Sequence, residues 1–242
     1  MGSAHSTLDK NMCGRFTLSQ PAEAIAEAFQ LSEVPTLEPR YNIAPTQLVP
    51  TVLRLPKQSD RGLHLLRWGL IPSWAKDSAI GARLINARAE TAAEKPSFRS
   101  AFRQRRCLIV ADGFYEWQRQ ERKKQPFYFR LQDGQPFAFA GLWERWEAPN
   151  DDGGEAIESC TILTTEANEL LQPIHDRMPV ILDPKDYDLW LDPAVQKPEP
   201  LQQLLCPYRS EAMVAYPVST QVNKPTNNSP ECITKLEADS SG

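Results

Sequence analysis

Residues 107–143 read CLIVADGFYEWQRQERKKQPFYFRLQDGQPFAFAGLW, and the fold is decided there. Cys107–Ala111, Tyr115–Gln118, Phe127–Leu131 and Phe137–Trp143 are short runs rich in Phe, Tyr, Ile and Val, parted by turn residues such as Asp133-Gly134. Side chains of this kind fit a pleated, half-buried surface, and brief runs between turn signals predict successive antiparallel strands. Towards the C-terminus, Ser159–Thr165 follows Gly153-Gly154 in the same manner, and Val180–Leu182 and Met213–Val218 complete the set. Towards the N-terminus, Leu48–Leu55 and Leu63–Trp68 predict a hairpin about a polar turn at Ser59–Gly62.

Helices are few and short. Pro21–Gln30 predicts one, with Ser19 as cap, Pro21 in the first turn and Ala22, Ile25, Ala26 and Phe29 as an apolar stripe. Pro96–Arg103 predicts a second, since Phe98, Ala101 and Phe102 recur at helical spacing with basic residues on the other face. Two more are expected at Glu166–Leu171 and at Lys185–Leu191, the latter capped by Asp183 with Pro184 at its first position. The predicted class is α+β: one domain with a mostly antiparallel sheet core, flanked by short helices. The small polar tail 236–242 is expected to be disordered.

Composition sets outer limits on function. The chain has 242 residues, 41% hydrophobic and 24% charged, enough to bury a sizeable core in a single β-rich domain. Its longest apolar runs fall far short of the roughly 18 residues of a membrane span, and no signal-peptide core opens the chain, so a cytoplasmic protein with no membrane contact is expected. Five cysteines, none in a Cys-x-x-Cys pair, predict reduced thiols rather than a disulfide framework or zinc site. No phosphate-cradling glycine loop and no GxSxG elbow is present, and no metal or cofactor is expected.

The net charge of −4 hides an uneven distribution. Residues 83–130 hold 12 basic and 5 acidic side chains. Within them Arg99, Arg103, Arg105, Arg106, Arg119, Arg122, Lys123 and Lys124 interleave with Phe98, Phe102, Tyr115 and Trp117, a pattern suited to gripping phosphates and stacking bases. A solvated helix face followed by a charged hairpin is the plainer alternative.

Four residues invite a chemical reading. His175 precedes Asp176-Arg177 and is either a general acid/base or structural. Glu116 lies between Tyr115 and Trp117, exposed on a strand or set beside aromatic rings as a proton carrier. Asn86, in Ile85-Asn86-Ala87-Arg88, either orients a substrate or completes a turn. Cys13 follows Met12, and removal of that methionine would free both an α-amine and a thiol. Ordinary pKa values of about 7.7–8.0 and 8.5 leave both partly nucleophilic at neutral pH. Together they form an aldehyde trap: the amine condenses to an imine, and the sulfur closes a thiazolidine ring.

The chain resembles the SRAP (SOS-response-associated peptidase) family. The resembling blocks are MCGRF from Met12, RYNIAPTQ from Arg40, WGLIPSWAKD from Trp68, INARAET from Ile85, RRCLIVADGFYEW from Arg105 and IHDRMPVIL from Ile174, with VNKPTNNSPECI from Val222 also similar. The resemblance spans nearly the whole chain. It implies a barrel-like fold over residues 13–235 and a protein that shields abasic sites in single-stranded DNA by covalent cross-linking, with some strand cleavage as a lyase side path. It further implies Cys13 as nucleophile, Asn86 positioning its amine, Glu116 assisting proton transfers and His175 acting on the opened sugar. Arg15, Asn42, Trp74, Arg88 and Arg177 fall at the family's DNA-gripping positions, and Arg99, Arg103 and Arg106 join them from the basic strip. The expected partner is single-stranded DNA with abasic sites, including at junctions with duplex, bound by a monomer.

The N-terminus departs from the family pattern. Residues 1–11 precede Met12, so Cys13 as written has an amide nitrogen and cannot close a thiazolidine. The leader, residues 1–12, reads as a tag, an upstream start or a segment removed by processing. Two competing readings need no free amine: a thiol peptidase using Cys13 and His175, and a non-catalytic reader of modified DNA.

Overall fold

The computed structural model describes residues 14–54, 60–120, 123–148 and 155–237. Its strands are β1 (Phe16–Leu18), β2 (Arg40–Ile43), β3 (Leu48–Leu53), β4 (Gly62–Trp68), β5 (Asn86–Arg88), β6 (Arg106–Ala111), β7 (Gly113–Gln120), β8 (Lys123–Leu131), β9 (Phe137–Trp146), β10 (Ile157–Glu166), β11 (Arg177–Pro179), β12 (Ile181–Leu182) and β13 (Met213–Pro217). Its helices are α1 (Ala22–Phe29), α2 (Ala89–Ala92), α3 (Arg99–Gln104), α4 (Tyr187–Leu191) and α5 (Pro198–Gln202), with short 3-10 turns between.

Five strands close on themselves. β4 pairs β3, β3 pairs β6, β6 pairs β9 and β9 pairs β10, all antiparallel, and β10 returns to β4 in parallel. The ring is a small barrel, and closure removes the exposed edges an open sheet would present. Every residue of β6 is buried, which is why its sequence is an unbroken apolar run rather than an alternation. A second, antiparallel sheet in the order β13-β8-β7-β1-β2 lies against it. Aromatic rings join the two: Phe114 on β7 stacks on Phe129 at 5.1 Å and meets Phe139 of the barrel edge-on at 6.0 Å, while Phe16 on β1 reaches Trp68 at 5.1 Å.

The strand runs around 107–143 form as expected, and so does the 48–68 hairpin, although residues 55–59 of its turn lie outside the described residues. The mostly antiparallel core is present, with parallel pairing where β10 meets β4 and β5. The helix at 22–29 forms on its apolar stripe and ends where Gln30 turns left-handed. Its buried Phe29 stacks on Tyr187 of α4 at 5.5 Å, so the stripe finds its partner far along the chain.

Three expectations need correction. Ser19 does not cap α1: its hydroxyl and backbone N–H both donate to the Asp112 carboxylate, at 2.9 and 2.5 Å. The helix at 166–171 does not form, because β10 runs on through Glu166, paired with Arg177 of β11, and the chain then continues as turns. Edge pairing there outweighs local propensity. The basic helix expected over Pro96–Arg103 starts at Arg99, with Pro96–Phe98 in the preceding turn, and ends at Gln104. The expected tail from 236 begins on a residue tied to the second sheet, the Leu236 N–H donating to the Pro217 carbonyl at 3.0 Å, and residues 238–242 lie outside the described residues. No helix among the described residues is long and apolar enough to cross a membrane.

Candidate functional site

The far half of β10 is the platform of the site. Beyond the barrel, β5 pairs in parallel along Ile162–Thr164 and β11 pairs antiparallel along Thr164–Glu166. These short flanking strands deliver Asn86 and Arg88 from one side and Arg177 from the other, with His175 in the turn that leads into β11. Strand alternation puts Asn86 and Arg88 on one face of β5, with Ala87 buried on the opposite face. The four side chains line a cleft of about 670 Å³, together with Arg83, Lys95, Phe98, Trp117, Gln118 and Asp176 among others.

His175 stands at the end of a turn whose backbone is fixed by the His175 N–H donating to the Leu171 carbonyl at 2.9 Å. Its ring is equipped for two protonation states. The Arg177 N–H points at Nδ1 from 3.1 Å, which suits a neutral imidazole carrying its proton on Nε2. The exposed Asp176 carboxylate lies 3.0 Å from the same Nδ1, which suits the imidazolium. Each state therefore has a partner in place.

Glu116 is buried, 1% exposed, in the middle of β7. Along this strand Tyr115 and Trp117 belong to a small cluster with Tyr128, Val218 and Val222, while Phe114 faces the main core. Glu116 alternates with them on the Phe114 side, and Gln118, next on that side, lines the cleft and donates to the Pro173 carbonyl at 3.2 Å. Glu116 is thus followed in β7 by two residues that line the cleft, Trp117 and Gln118. β1 runs beside it: Phe16 pairs Phe114, Thr17 pairs Gly113, and the Tyr115 N–H donates to the Arg15 carbonyl at 3.0 Å. Gly14, where the described chain begins, is thereby set beside the stretch of β7 that carries Glu116.

Asp112 fixes that alignment from the turn between β6 and β7. Its buried carboxylate accepts from the Thr17 hydroxyl, from the Ser19 N–H and hydroxyl, and from the Gln20 N–H. Gly113 follows because nothing larger fits: a Cβ there would lie 2.1 Å from the Tyr128 hydroxyl.

The remaining predicted residues divide sharply. Cys13 lies outside the described residues. Arg15 and Asn42 are not laid out along the cleft but hold the late loop: Arg15 donates to the Val222 carbonyl at 2.7 Å and to Asn42 Oδ1 at 2.9 Å. The Asn42 amide, 3% exposed, donates to the carbonyls of Val222, Lys224 and Asn227. Burial lowers the Arg15 pKa. Trp74 is 58% exposed in a second hollow beside the cleft, with Lys76, Ile80 and Arg83. Arg177 is clamped by Glu90 through two bonds of 2.5 and 2.9 Å and also donates to the Thr164 carbonyl at 2.6 Å. Arg99 and Arg103 are exposed on α3. Arg106 is not on that surface: it is 4% exposed, and its guanidinium donates to the carbonyls of Phe102, Arg103, Trp190 and Asp192. Desolvation pulls its pKa down to about 10, and its place in the fold is to tie α3 to the end of α4.

Arg83, Lys95 and Gln118 carry no motif that marks them as site residues in the sequence. Arg83 and Lys95 belong to the basic strip 83–130, but only the fold gathers them at one cleft. Cys107, Cys160 and Cys232 are buried, and burial raises the Cys160 thiol to about 12, the condition of an inert core thiol rather than a nucleophile. Among the described residues no group of three or more His, Cys, Asp and Glu is arranged to hold a metal.

A family model described as SOS response associated peptidase (SRAP) matches residues 12–225. This chain belongs to the SRAP family. Within that family it is 50% identical over 226 residues to the abasic site processing protein YoqW of Bacillus subtilis, covering 92% of this chain and 99% of the relative. It is 37% identical over 227 residues to the abasic site processing protein HMCES of Xenopus tropicalis, covering 82% of this chain and 67% of the relative. The SRAP chain also superposes on a crystal structure of a Bacteroides thetaiotaomicron protein with a TM-score of 0.80 at 29% identity, covering 93% of this chain and 100% of the other. A Bordetella bronchiseptica protein gives 0.73 at 30% identity over 86% of this chain and 100% of the other.

Proposed function

We propose that this SRAP chain processes abasic sites in single-stranded DNA, trapping the ring-opened deoxyribose as a thiazolidine on an N-terminal Cys13. The observation that carries the reading is the convergence of Asn86 and His175 on one basic-lined cleft, backed by the strand of Glu116, beside which Gly14 begins the described chain. The names of the bacillar and vertebrate relatives support the substrate class.

In this reading Arg88 and neighbouring cations hold phosphates, and Trp74 takes an unpaired base. His175 delivers a proton to the sugar ring oxygen as the ring opens to the aldehyde. The Cys13 amine, oriented by Asn86, adds to the carbonyl carbon, and Glu116 transfers the proton that lets the carbinolamine hydroxyl leave as water. The sulfur then bonds to the imine carbon and the thiol proton passes to nitrogen, so one water is lost overall. Without the sulfur the imine stays open to β-elimination, so Cys13→Ser shifts the outcome from cross-link to strand cleavage. The chemistry requires an amine at Cys13, so the active form starts there, residues 1–12 having been removed, either outside the protein's own chemistry or by the peptidase activity for which the family is described. The acting protein is placed in the cytoplasm as a monomer on single strands and their junctions with duplex.

The test incubates protein beginning at Cys13 with a single-stranded oligonucleotide bearing one abasic site, beside an intact strand, on a denaturing gel. A heat-resistant shifted band confined to the abasic strand supports the trap. Its absence with folded protein rejects it in favour of a thiol peptidase or a reader. Acetylation of the terminus separates the trap from a peptidase, because a peptidase cleaving in trans does not need the amine.

A further inference from the structure

Arg83 ends the 3-10 turn Ser78–Arg83, shortly before Asn86. That turn is held rigidly. Asp77 caps it, accepting the Ala79 N–H at 2.8 Å, and Gly81 presses against Gly69 so closely that a Cβ on either would meet the other's carbonyl oxygen at 2.6 Å. The Leu70 N–H donates to the Leu84 carbonyl at 3.1 Å, and the Ile162 N–H to the Ile85 carbonyl at 3.0 Å, so the chain from Arg83 into β5 is fixed to the barrel. The backbone under Arg83 therefore keeps a set distance from Asn86.

The Arg83 side chain is exposed and borders both hollows, the cleft of Asn86 and His175 on one side and the hollow of Trp74, Lys76 and Ile80 on the other. Its charge is also uncommitted. Arg177 is clamped by Glu90 and Arg106 is buried among carbonyls, whereas Arg83 forms no hydrogen bond or ion pair among the described residues. An open guanidinium on a ridge between a polar cleft and an apolar hollow with an exposed indole repeats the order of a single strand: sugar, phosphate, next base.

We propose that Arg83 sets the register of the abasic strand. Its guanidinium binds the phosphate joining the lesion sugar, seated in the cleft, to one neighbouring nucleotide, whose base enters the Trp74 hollow. This rests on the abasic-site reading above and adds to it a requirement: one particular flanking phosphate, on one side of the lesion, controls how the sugar meets Asn86.

The test uses protein beginning at Cys13 and strands with one abasic site and a single neutral methylphosphonate linkage placed on either side of it. Cross-linking rates are measured against strand concentration and salt for the unmodified protein, Arg83→Ala, Arg83→Lys and Lys95→Ala. Arg83→Ala is expected to raise the half-saturating strand concentration roughly five- to tenfold and to reduce the log–log salt slope by about 0.7, the value for one phosphate contact on a single strand. Arg83→Lys keeps the salt slope. The methylphosphonate on one side reproduces the loss in the unmodified protein and adds nothing in Arg83→Ala, while Lys95→Ala remains sensitive to it. Equal effects of the two methylphosphonates, or an Arg83→Ala protein with unchanged concentration and salt dependence, overturn the register while the abasic-site reading stands. An unmodified protein that forms no adduct with any strand overturns both.

Discussion

Gln118 Nε2 donates to the Pro173 carbonyl at 3.2 Å, tying the strand that carries Glu116 to the turn that ends in His175. One proton carrier of the proposed reaction sits on β7 of the second sheet and the other in the turn that leads into β11, and this bond is a direct brace between their supports. Gln118→Ala is expected to slow cross-linking several-fold while changing stability by no more than about 0.5 kcal/mol, as for other partly exposed positions. Single-turnover rates and urea unfolding of the same preparation separate the two effects. Equal rates would show the turn is held well enough without the brace.

Asp112 is expected to matter first for folding. Asp112→Ala leaves the Ser19 and Gln20 N–H groups and the Thr17 hydroxyl without their buried acceptor, a loss of about 3 kcal/mol. Urea denaturation measures it. A change under about 1 kcal/mol, the net worth of a single ordinary hydrogen bond, would mean that β1 is aligned chiefly by its pairing with β2 and β7.

Arg106 offers a sharp contrast with the exposed cations of the cleft. Arg106→Met removes the donor shared by four carbonyls and is expected to cost about 2–4 kcal/mol of stability. The salt dependence of DNA binding should stay as it was, since the side chain does not reach solvent. A reduced salt slope in folded Arg106→Met would return this residue to the nucleic-acid surface.

The Glu90–Arg177 pair gives a pH signature. The Arg177 guanidinium, by hydrogen bonding, holds the Glu90 carboxyl below its ordinary value, more than burial raises it. A carboxyl with a lowered folded pKa contributes stability above its unfolded value, near about 4.3, and loses it as pH falls through the folded value. Because Glu90 is half exposed, the contribution is a few tenths of a kcal/mol. Glu90→Gln should therefore melt slightly below the unmodified protein at about pH 6, with the gap closing towards about pH 3. A gap that persists in acid would assign the effect to packing.

The strands and the reacting residues are legible in sequence for different reasons. Runs such as Cys107–Ala111 and Phe137–Trp143 carry their own β signal, and α1 is marked by its stripe. The three-residue strands β1, β5 and β11 carry almost none, because their pairing is supplied by β7 and β10 from far along the chain. Asn86 and His175 stand out by residue type and motif, and the fold brings both to the cleft. Charge and polarity mislead at Arg106 and Asn42, since a side chain that hydrogen-bonds a carbonyl inside the fold reads the same, in sequence, as one that grips a phosphate. Arg83 has no motif to mark it, and its position between two hollows exists only in three dimensions.

The most direct test of the central claim is mass spectrometry of the cross-link itself, formed by protein beginning at Cys13, trimmed with nuclease and protease, with and without borohydride. The expected result is an N-terminal peptide of Cys13 carrying the sugar fragment, at the summed mass less one water and unchanged by borohydride, as a closed thiazolidine requires. An adduct on another residue, one that borohydride reduces as an open imine, or one formed equally well by protein with a blocked α-amine would contradict it.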